Sequence, residues 1–513
     1  MSVWVSLLSY ALALLGVALA AAYMYMGRKH DHWRRKGVKY LTPLPFVGNL
    51  KDIAFVRRNI GVMSHDIYHQ HKKEPYVGIF AFDEPMLHIH DLALVRAVLV
   101  KDFQFFCDRN FHVSAKADLL ASRILFALKG ERWKQSRAAI TPSFSSGKMK
   151  HMYEIVEGRA KFLAETLQKE NTGEPITAYD LVARYTTDVI ASCAFGIDSG
   201  TLRDPRAEFR RKLRMIFDLS PTEALRFLMA FVSPNAVHTF NIKVFKKEVE
   251  DYVVGTIRHA IRYREENGVV RNDLLSALVA IVKGSADAGE EADGTKSKIK
   301  MDEIDVASHA MAFLGAGFET SATTISYALY ELAKNKEIQD KLREEINTTL
   351  KENGGSVPYD VMHSMKYMDL VFQETLRKYP PVPFLDRVSN KPYRLPGTNV
   401  TLDAGTAVMI PVLGIHRDPE IYPNPMQFIP ERFLEENKAK RPSCSHMPFG
   451  EGPRTCVGLR FALMQTKLGM IHILKDHSVE LPSTTPTEPD FTPKSFLLQP
   501  VKHLELLFKK IEA

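Results

Sequence analysis

Phe449-Gly450-Glu451-Gly452-Pro453-Arg454-Thr455-Cys456-Val457-Gly458 is the stretch on which the reading of this chain turns. Three glycines around a cysteine let the backbone turn sharply and come close to a ligand. The run that follows, Leu459-Arg460-Phe461-Ala462-Leu463-Met464, is helix-forming. Cys456 therefore stands just before a helix start, where backbone N–H groups and the helix dipole favour a thiolate. A thiolate in that setting suits a nucleophile or a metal ligand. Cys444 and His446 lie near, but no second Cys or His follows at zinc-ligand spacing. A buried loop cysteine without chemistry is the remaining reading.

The pattern Phe449-x-x-Gly452-x-Arg454-x-Cys456-x-Gly458 resembles the heme-binding loop of the cytochrome P450 family. The resemblance implies that Cys456 is the axial thiolate on the iron of heme b. It implies that Phe449, Gly450 and Arg454 stand against the cofactor. A thiolate ligand pushes electron density onto iron and favours O–O cleavage.

Outward from the loop, residues 302–333 read as one long helix, with Asp302 as N-cap and Asp305 three residues on. In its middle stands Ala316-Gly317-Phe318-Glu319-Thr320-Ser321. This resembles the family's oxygen-side helix. There Thr320 and Glu319 would be the catalytic pair that brings protons to dioxygen, two for each water released. By itself the segment also reads as a tight helix crossing with a satisfied threonine.

Glu374-Thr375-Leu376-Arg377 lies on a helix ended by Pro380-Pro381, so Glu374 and Arg377 share a face. An E-x-x-R match alone is usually a surface ion pair. With Arg432 of Pro430-Glu431-Arg432-Phe433 it matches the family's structural triad. Trp133 and Arg137, at i and i+4, present donors only, suited to an anion. The resemblance makes them ligands of a heme propionate, with Arg387 and Arg454 as further ones and Arg109 as a weaker candidate.

The 513 residues are 45% hydrophobic and 25% charged, ordinary for a folded protein. Four cysteines make no disulfide framework. The formal charge of +8 would fit nucleic acid, an anionic membrane or an acidic partner. Its position decides. Ser2 to Gly27 carry no charge, and about 24 apolar residues reach about 36 Å, enough to cross a bilayer core. Arg28, Lys29, Arg34, Arg35, Lys36 and Lys39 against Asp31 hold five of the eight net charges. The positive-inside rule then places the body in the cytosol, and nucleic acid is not the expected partner. A cleaved signal peptide is the competing reading. Its charged n-region is missing, and the apolar run exceeds the usual length.

Two prolines and Gly48 follow, read either as a linker or as a rigid segment that fixes the body on the membrane. The expected organisation is an anchor over 1–27, a basic and proline-rich hinge over 28–50, and one heme-thiolate domain over 51–513. That domain is expected to be mainly α with a smaller β part (α+β). A hairpin is expected over 75–90, helices over 148–168, 180–194 and 244–265, and a solvated loop over 285–300.

The resemblance implies a monooxygenase of the endoplasmic reticulum membrane, acting on lipophilic molecules. No dinucleotide fingerprint opens a helix after a strand. NADPH, FAD and FMN would therefore sit on a partner, NADPH-cytochrome P450 reductase, with cytochrome b5 as a second donor. Lys134, Lys438, Lys440 and Arg441 are candidate docking cations, as are ordinary solvated ones. The family's variable pocket segments fall at 105–121, 217–240, 310–317, 382–385 and 495–498. They hold or adjoin Phe111, Phe217, Phe227, Phe231, Phe240, Phe313, Phe318, Phe384 and Phe496. Segment 217–240 is also apolar enough to dip into a membrane. Smaller likenesses, such as Lys101-Asp102-Phe103 and Thr141-Pro142-Ser143-Phe144, are similar to the insect detoxification branch and its animal drug-metabolising relatives. The implied role is xenobiotic or insecticide metabolism, or that of an endogenous lipid or hormone. A non-catalytic heme sensor or carrier, and a thiolate-heme isomerase or peroxide-dependent enzyme, are the rival classes. Glu319-Thr320 argues against both.

Overall fold

The computed structural model describes residues 2–271, 273–283 and 301–511. The loop expected over 285–300 lies outside the described residues. Helix α1, Ser2–His30, is apolar, uncharged for most of its length, and closed by Arg28, Lys29 and His30. Among the described residues it is the one helix long and apolar enough to cross a membrane. Just beyond it Trp33 is fully buried, and its indole N–H donates to Ile79 O at 3.0 Å. A Cβ at Gly78 would lie 2.5 Å from that ring, so the sheet accepts Trp33 only over a glycine. The chain then runs along the sheet: Gly78 N donates to Lys39 O, Leu41 N to Gly78 O and Asn49 N to Phe80 O. The segment is thus held against the sheet edge by backbone hydrogen bonds.

The expected hairpin is β1, Tyr76–Ala81, antiparallel to β2, Glu84–Ile89. The helical part follows. Its main elements are α2 (Gly130–Ile140), α3 (Ser146–Glu170), α4 (Ala178–Phe195), α5 (Pro221–Val232), α6 (Lys247–Glu266), α7 (Glu303–Lys334) and α8 (Lys366–Lys378). Strands β3 (Leu385–Val388) and β4 (Ala407–Ile410) return to the first sheet, in the order β1-β2-β4-β3, with β2 and β4 parallel. Helix α9, Leu459–Leu474, follows the cysteine loop. Strands β5 (His477–Glu480) and β6 (Glu505–Lys510) form a smaller sheet with residues 176–177. The body is mainly α with a smaller β part.

Helix α7 is the axis of this body. Asp302 and Asp305 form a reciprocal capping box at its start. Leu314, Phe318, Ile325, Leu329 and Leu332 are buried along it, each contributing about 1.5–3 kcal/mol. Helix α4, buried for nearly its whole length, packs along it. At Gly317 a Cβ would stand 2.7 Å from the Ile190 side chain, so glycine sets how closely the two helices approach.

Candidate active site

The cysteine loop is built by close approaches. Gly450 and Gly452 take φ of +77° and +70°, and a Cβ on Gly452 would fall 2.0 Å from Leu99 O. Cys456 N donates back to Phe449 O at 2.9 Å, closing the turn, while the Phe449 ring lies over Phe372. The thiol of Cys456 presents surface although protein surrounds it. Ala316 and Thr320, in the middle of α7, also present surface. Such inner surfaces on the loop and on α7 imply an interior void beside them. Burial pushes the Cys456 thiol pKa up. The Gly458 N–H and the guanidinium groups of Arg137 and Arg109 pull it back only in part. The Gly458 N–H at the helix start thus acts in the thiolate's favour, against the cost of burial. A bound metal cation would supply what is missing.

One side of the void is crowded with guanidinium. Burial, with Arg109 beside it, pushes Arg387 down to about 9. Burial, then Arg109 and Arg387, do the same to Arg454. Arg387 Nε and Arg454 Nη1 are buried without partners. The remaining donors of Arg454 go to Cys107 O at 2.8 Å and Leu128 O at 2.9 Å. Its guanidinium lies 3.9 Å over the Trp133 ring. Arg109 sits 4.2 Å over Phe126 and 3.9 Å from Asp386. Asp108, 3.5 Å from Arg454, also takes the Gly130 N–H at the start of α2. Trp133, Arg109, Arg387 and Arg454 thus share one neighbourhood, and Arg137 acts on the thiol. Two aspartates do not balance these cations, and the orphaned N–H groups await acceptors. We expect Arg387→Leu to leave heme-free protein no less stable, because it removes a repelled buried charge. Heme loss to a scavenger protein should quicken about 10-fold or more, the worth of a charged hydrogen bond.

Glu319 and Thr320 do not point the same way. Thr320 Oγ1 donates to Ala316 O at 2.8 Å on the void side. Glu319 is buried on another face, accepting from Tyr179 Oη, Gln499 Nε2 and Thr323 Oγ1. Burial pushes its carboxyl pKa up, and those hydrogen bonds only moderate the rise. Tyr179 and Gln499 carry no local motif and were not legible in the sequence.

Glu374 and Arg377 are fully buried. Glu374 accepts from Arg377 Nε at 2.7 Å and Nη2 at 2.8 Å, from Ile429 N at 2.9 Å and from Arg432 Nε at 3.3 Å. Arg377 also donates to His416 O and Pro425 O. The pair thereby ties α8 to the meander before the cysteine loop.

Phe111, Phe227, Phe231, Phe384 and Phe496 pack together, joined by Phe126 and Phe245, which the sequence reading did not include. Phe217 pairs instead with Phe318. Phe240 is 76% exposed and belongs to the surface, not to a pocket wall. Among the docking candidates Lys134, Lys438 and Lys440 are exposed. Arg441 is laid over Phe433 at 4.4 Å and bonded to Arg432 O, so it is a packing residue.

A cation cluster that repels itself and a thiol that burial holds protonated are relieved together by one guest, a metal macrocycle bearing carboxylates. Heme is such a molecule, and the class so defined is the heme-thiolate proteins. A family model for cytochrome P450 matches residues 38–507. Cytochrome P450 6j1 of Blattella germanica is 41% identical over 477 residues, 93% of each chain. Cytochrome P450 6k1 of the same insect is 39% identical over 516 residues, 98% of this chain and 97% of the relative. A probable cytochrome P450 6a14 of Drosophila melanogaster is 38% identical over 496 residues, 95% and 97% of the two. The chain belongs to the cytochrome P450 family and is a heme-dependent monooxygenase.

Proposed function

We propose that this chain is a membrane-anchored monooxygenase that takes electrons from NADPH through a flavoprotein reductase and oxidises lipophilic small molecules. The observation that carries it is the accessible surface that Cys456 keeps in its loop and that Ala316 and Thr320 keep in the middle of α7. Bound through Cys456, heme supplies dioxygen activation, favoured by the electron-rich thiolate. Arg137, Arg387, Arg454 and Trp133 hold the propionate side, with Phe449 and Gly450 shaping the loop. Thr320 Oγ1, which donates to Ala316 O, would hold a water, and Glu319 would recharge the relay.

The phenylalanine cluster makes an apolar, aromatic roof suited to flat or bulky substrates. Exposed Phe46, Phe55 and Phe240 suit entry from lipid. Helix α1 and the cations after it suit a single-pass anchor in the endoplasmic reticulum with the body in the cytosol. Lys134, Lys438 and Lys440 suit an acidic reductase face, or cytochrome b5. The insect relatives favour detoxification. The test is product formation from NADPH with and without added reductase. Product that needs no reductase would overturn the reading. Thr320→Ala should cut product per NADPH several-fold while peroxide release rises. Unchanged coupling would remove Thr320 from the relay.

A further inference from the structure

Asn59 is 1% exposed and belongs to no motif, yet both ends of its amide are engaged. Its Oδ1 accepts from Gly61 N at 2.9 Å and caps the helix Ile60–His71. Its Nδ2 donates to three carbonyls of one loop more than 430 residues on: Thr492 O at 3.0 Å, Ser495 O at 2.8 Å and Leu497 O at 3.1 Å. An N–H on one side and carbonyls on the other leave only one way round for the amide. The loop also closes on itself, Thr492 N donating to Gln499 O at 2.9 Å. Phe496 stands between two of the carbonyls that Asn59 holds. Its ring is stacked on Phe227 at 5.2 Å and tilted against Phe231 at 5.4 Å.

The same helix turn seats a second segment of the aromatic cluster. A Cβ at Gly61 would fall 2.1 Å from the Pro383 ring, so Pro383 packs there only over a glycine. The next residue, Phe384, meets Phe231 edge-on at 5.7 Å. The helix is itself held from behind. Tyr68 Oη donates to Asp418 at 2.6 Å, and the Tyr68 ring lies where a Cβ on Gly414 would stand 2.9 Å from it. The first turn of Ile60–His71 thus backs both Phe384 and Phe496.

We propose that Asn59 is a positioning residue for substrate selectivity: by holding the loop 492–499 it sets Phe496 on Phe227 and Phe231, while Gly61 sets Phe384 through Pro383. The inference rests on the reading of the phenylalanine cluster as the roof of the substrate pocket. Asn59 touches no substrate. A buried carbonyl that loses its donor shifts to regain one, and Phe496, between two such carbonyls, moves with them. A small guest that binds the heme iron does not reach the roof, whereas a bulky one does. Asn59 therefore acts on discrimination by size and shape, and not on the oxygen chemistry.

The experiment titrates full-length holoprotein with two azoles, imidazole and the bulky triphenylmethyl azole clotrimazole, each read by the shift of the heme Soret band. Asn59→Asp keeps the helix cap, because aspartate caps as well as asparagine. It sets a carboxylate oxygen against the three carbonyls in place of the donor. The ratio of clotrimazole to imidazole affinity should shift about 10-fold or more, the worth of a buried hydrogen bond. Imidazole affinity and the carbon monoxide band should stay at parental values. If Asn59→Asp gives no holoprotein, Asn59→Ser takes its place, since serine also caps and is too short to hold the loop. Phe496→Ala tests the roof itself. A ratio that moves in Phe496→Ala but not in the Asn59 variant overturns the role of Asn59 and leaves the roof standing. A ratio unmoved by Phe496→Ala overturns the roof, and the inference with it. Both affinities falling together in the Asn59 variant would mark a general loosening of the fold and overturn the selective role.

Discussion

Replacing Cys456 by serine abolishes the long-wavelength Soret band that reduced thiolate-ligated heme gives with carbon monoxide, and with it reductase-dependent turnover. The backbone supports this expectation. The closing Cys456 N to Phe449 O bond and the left-handed Gly450 and Gly452 are independent of the sulfur. Serine therefore keeps the loop and loses only the soft, electron-donating ligand. Burial pushes the Cys456 thiol pKa up, against the pull of the Gly458 N–H and of Arg137 and Arg109. Cys444, its nearest cysteine in the chain, has its own thiol pushed up to about 11 by burial and Glu451. A band that persists in Cys456→Ser would place the ligand elsewhere.

The second large effect concerns Glu374. Its carboxylate compensates two guanidinium groups at a place where Arg377 has no exposed surface, and it also takes the Ile429 N–H. Removing one member of a buried pair leaves the other charge uncompensated and costs about 3–5 kcal/mol. That is much of the usual stability of a domain. Glu374→Ala is expected to give little or no holoprotein. Glu374→Gln, which keeps the shape and some acceptor capacity, should give some, with a lowered unfolding temperature. The measurement is holoprotein yield and thermal midpoint. An alanine variant with parental values would show that Arg377 and Arg432 are satisfied without Glu374.

The sequence made the site legible to the extent that its chemistry is local. A ten-residue loop carries the cysteine with its glycines, and the single helix α7 carries both its cap and its acid-alcohol pair. Spacing marked those residues, and the family resemblance gave them their roles. Arg387 and Arg454 were legible through the family resemblance alone, because their meeting depends on β3 and the loop arriving together. That Glu319 and Thr320 face different ways follows from helical periodicity and was available in principle. What Glu319 faces was not, since Tyr179 lies 140 residues before it and Gln499 180 after it. The phenylalanine cluster was half legible. Composition named the rings, but only packing separates Phe240, which faces outward, from Phe231, which does not. The seat of Trp33 on Gly78 gave no signal in either segment alone.

The self-repelling arginines around Trp133 bear on discrimination among guests. A porphyrin whose carboxylates are esterified has the same flat apolar face as heme and the same metal. It brings no charge to Arg387 Nε or Arg454 Nη1, which remain buried and unpaired. On the proposed reading, the cluster favours a guest with negative charge at its rim. A neutral macrocycle is then expected to bind less tightly, even where its centre fits the sulfur.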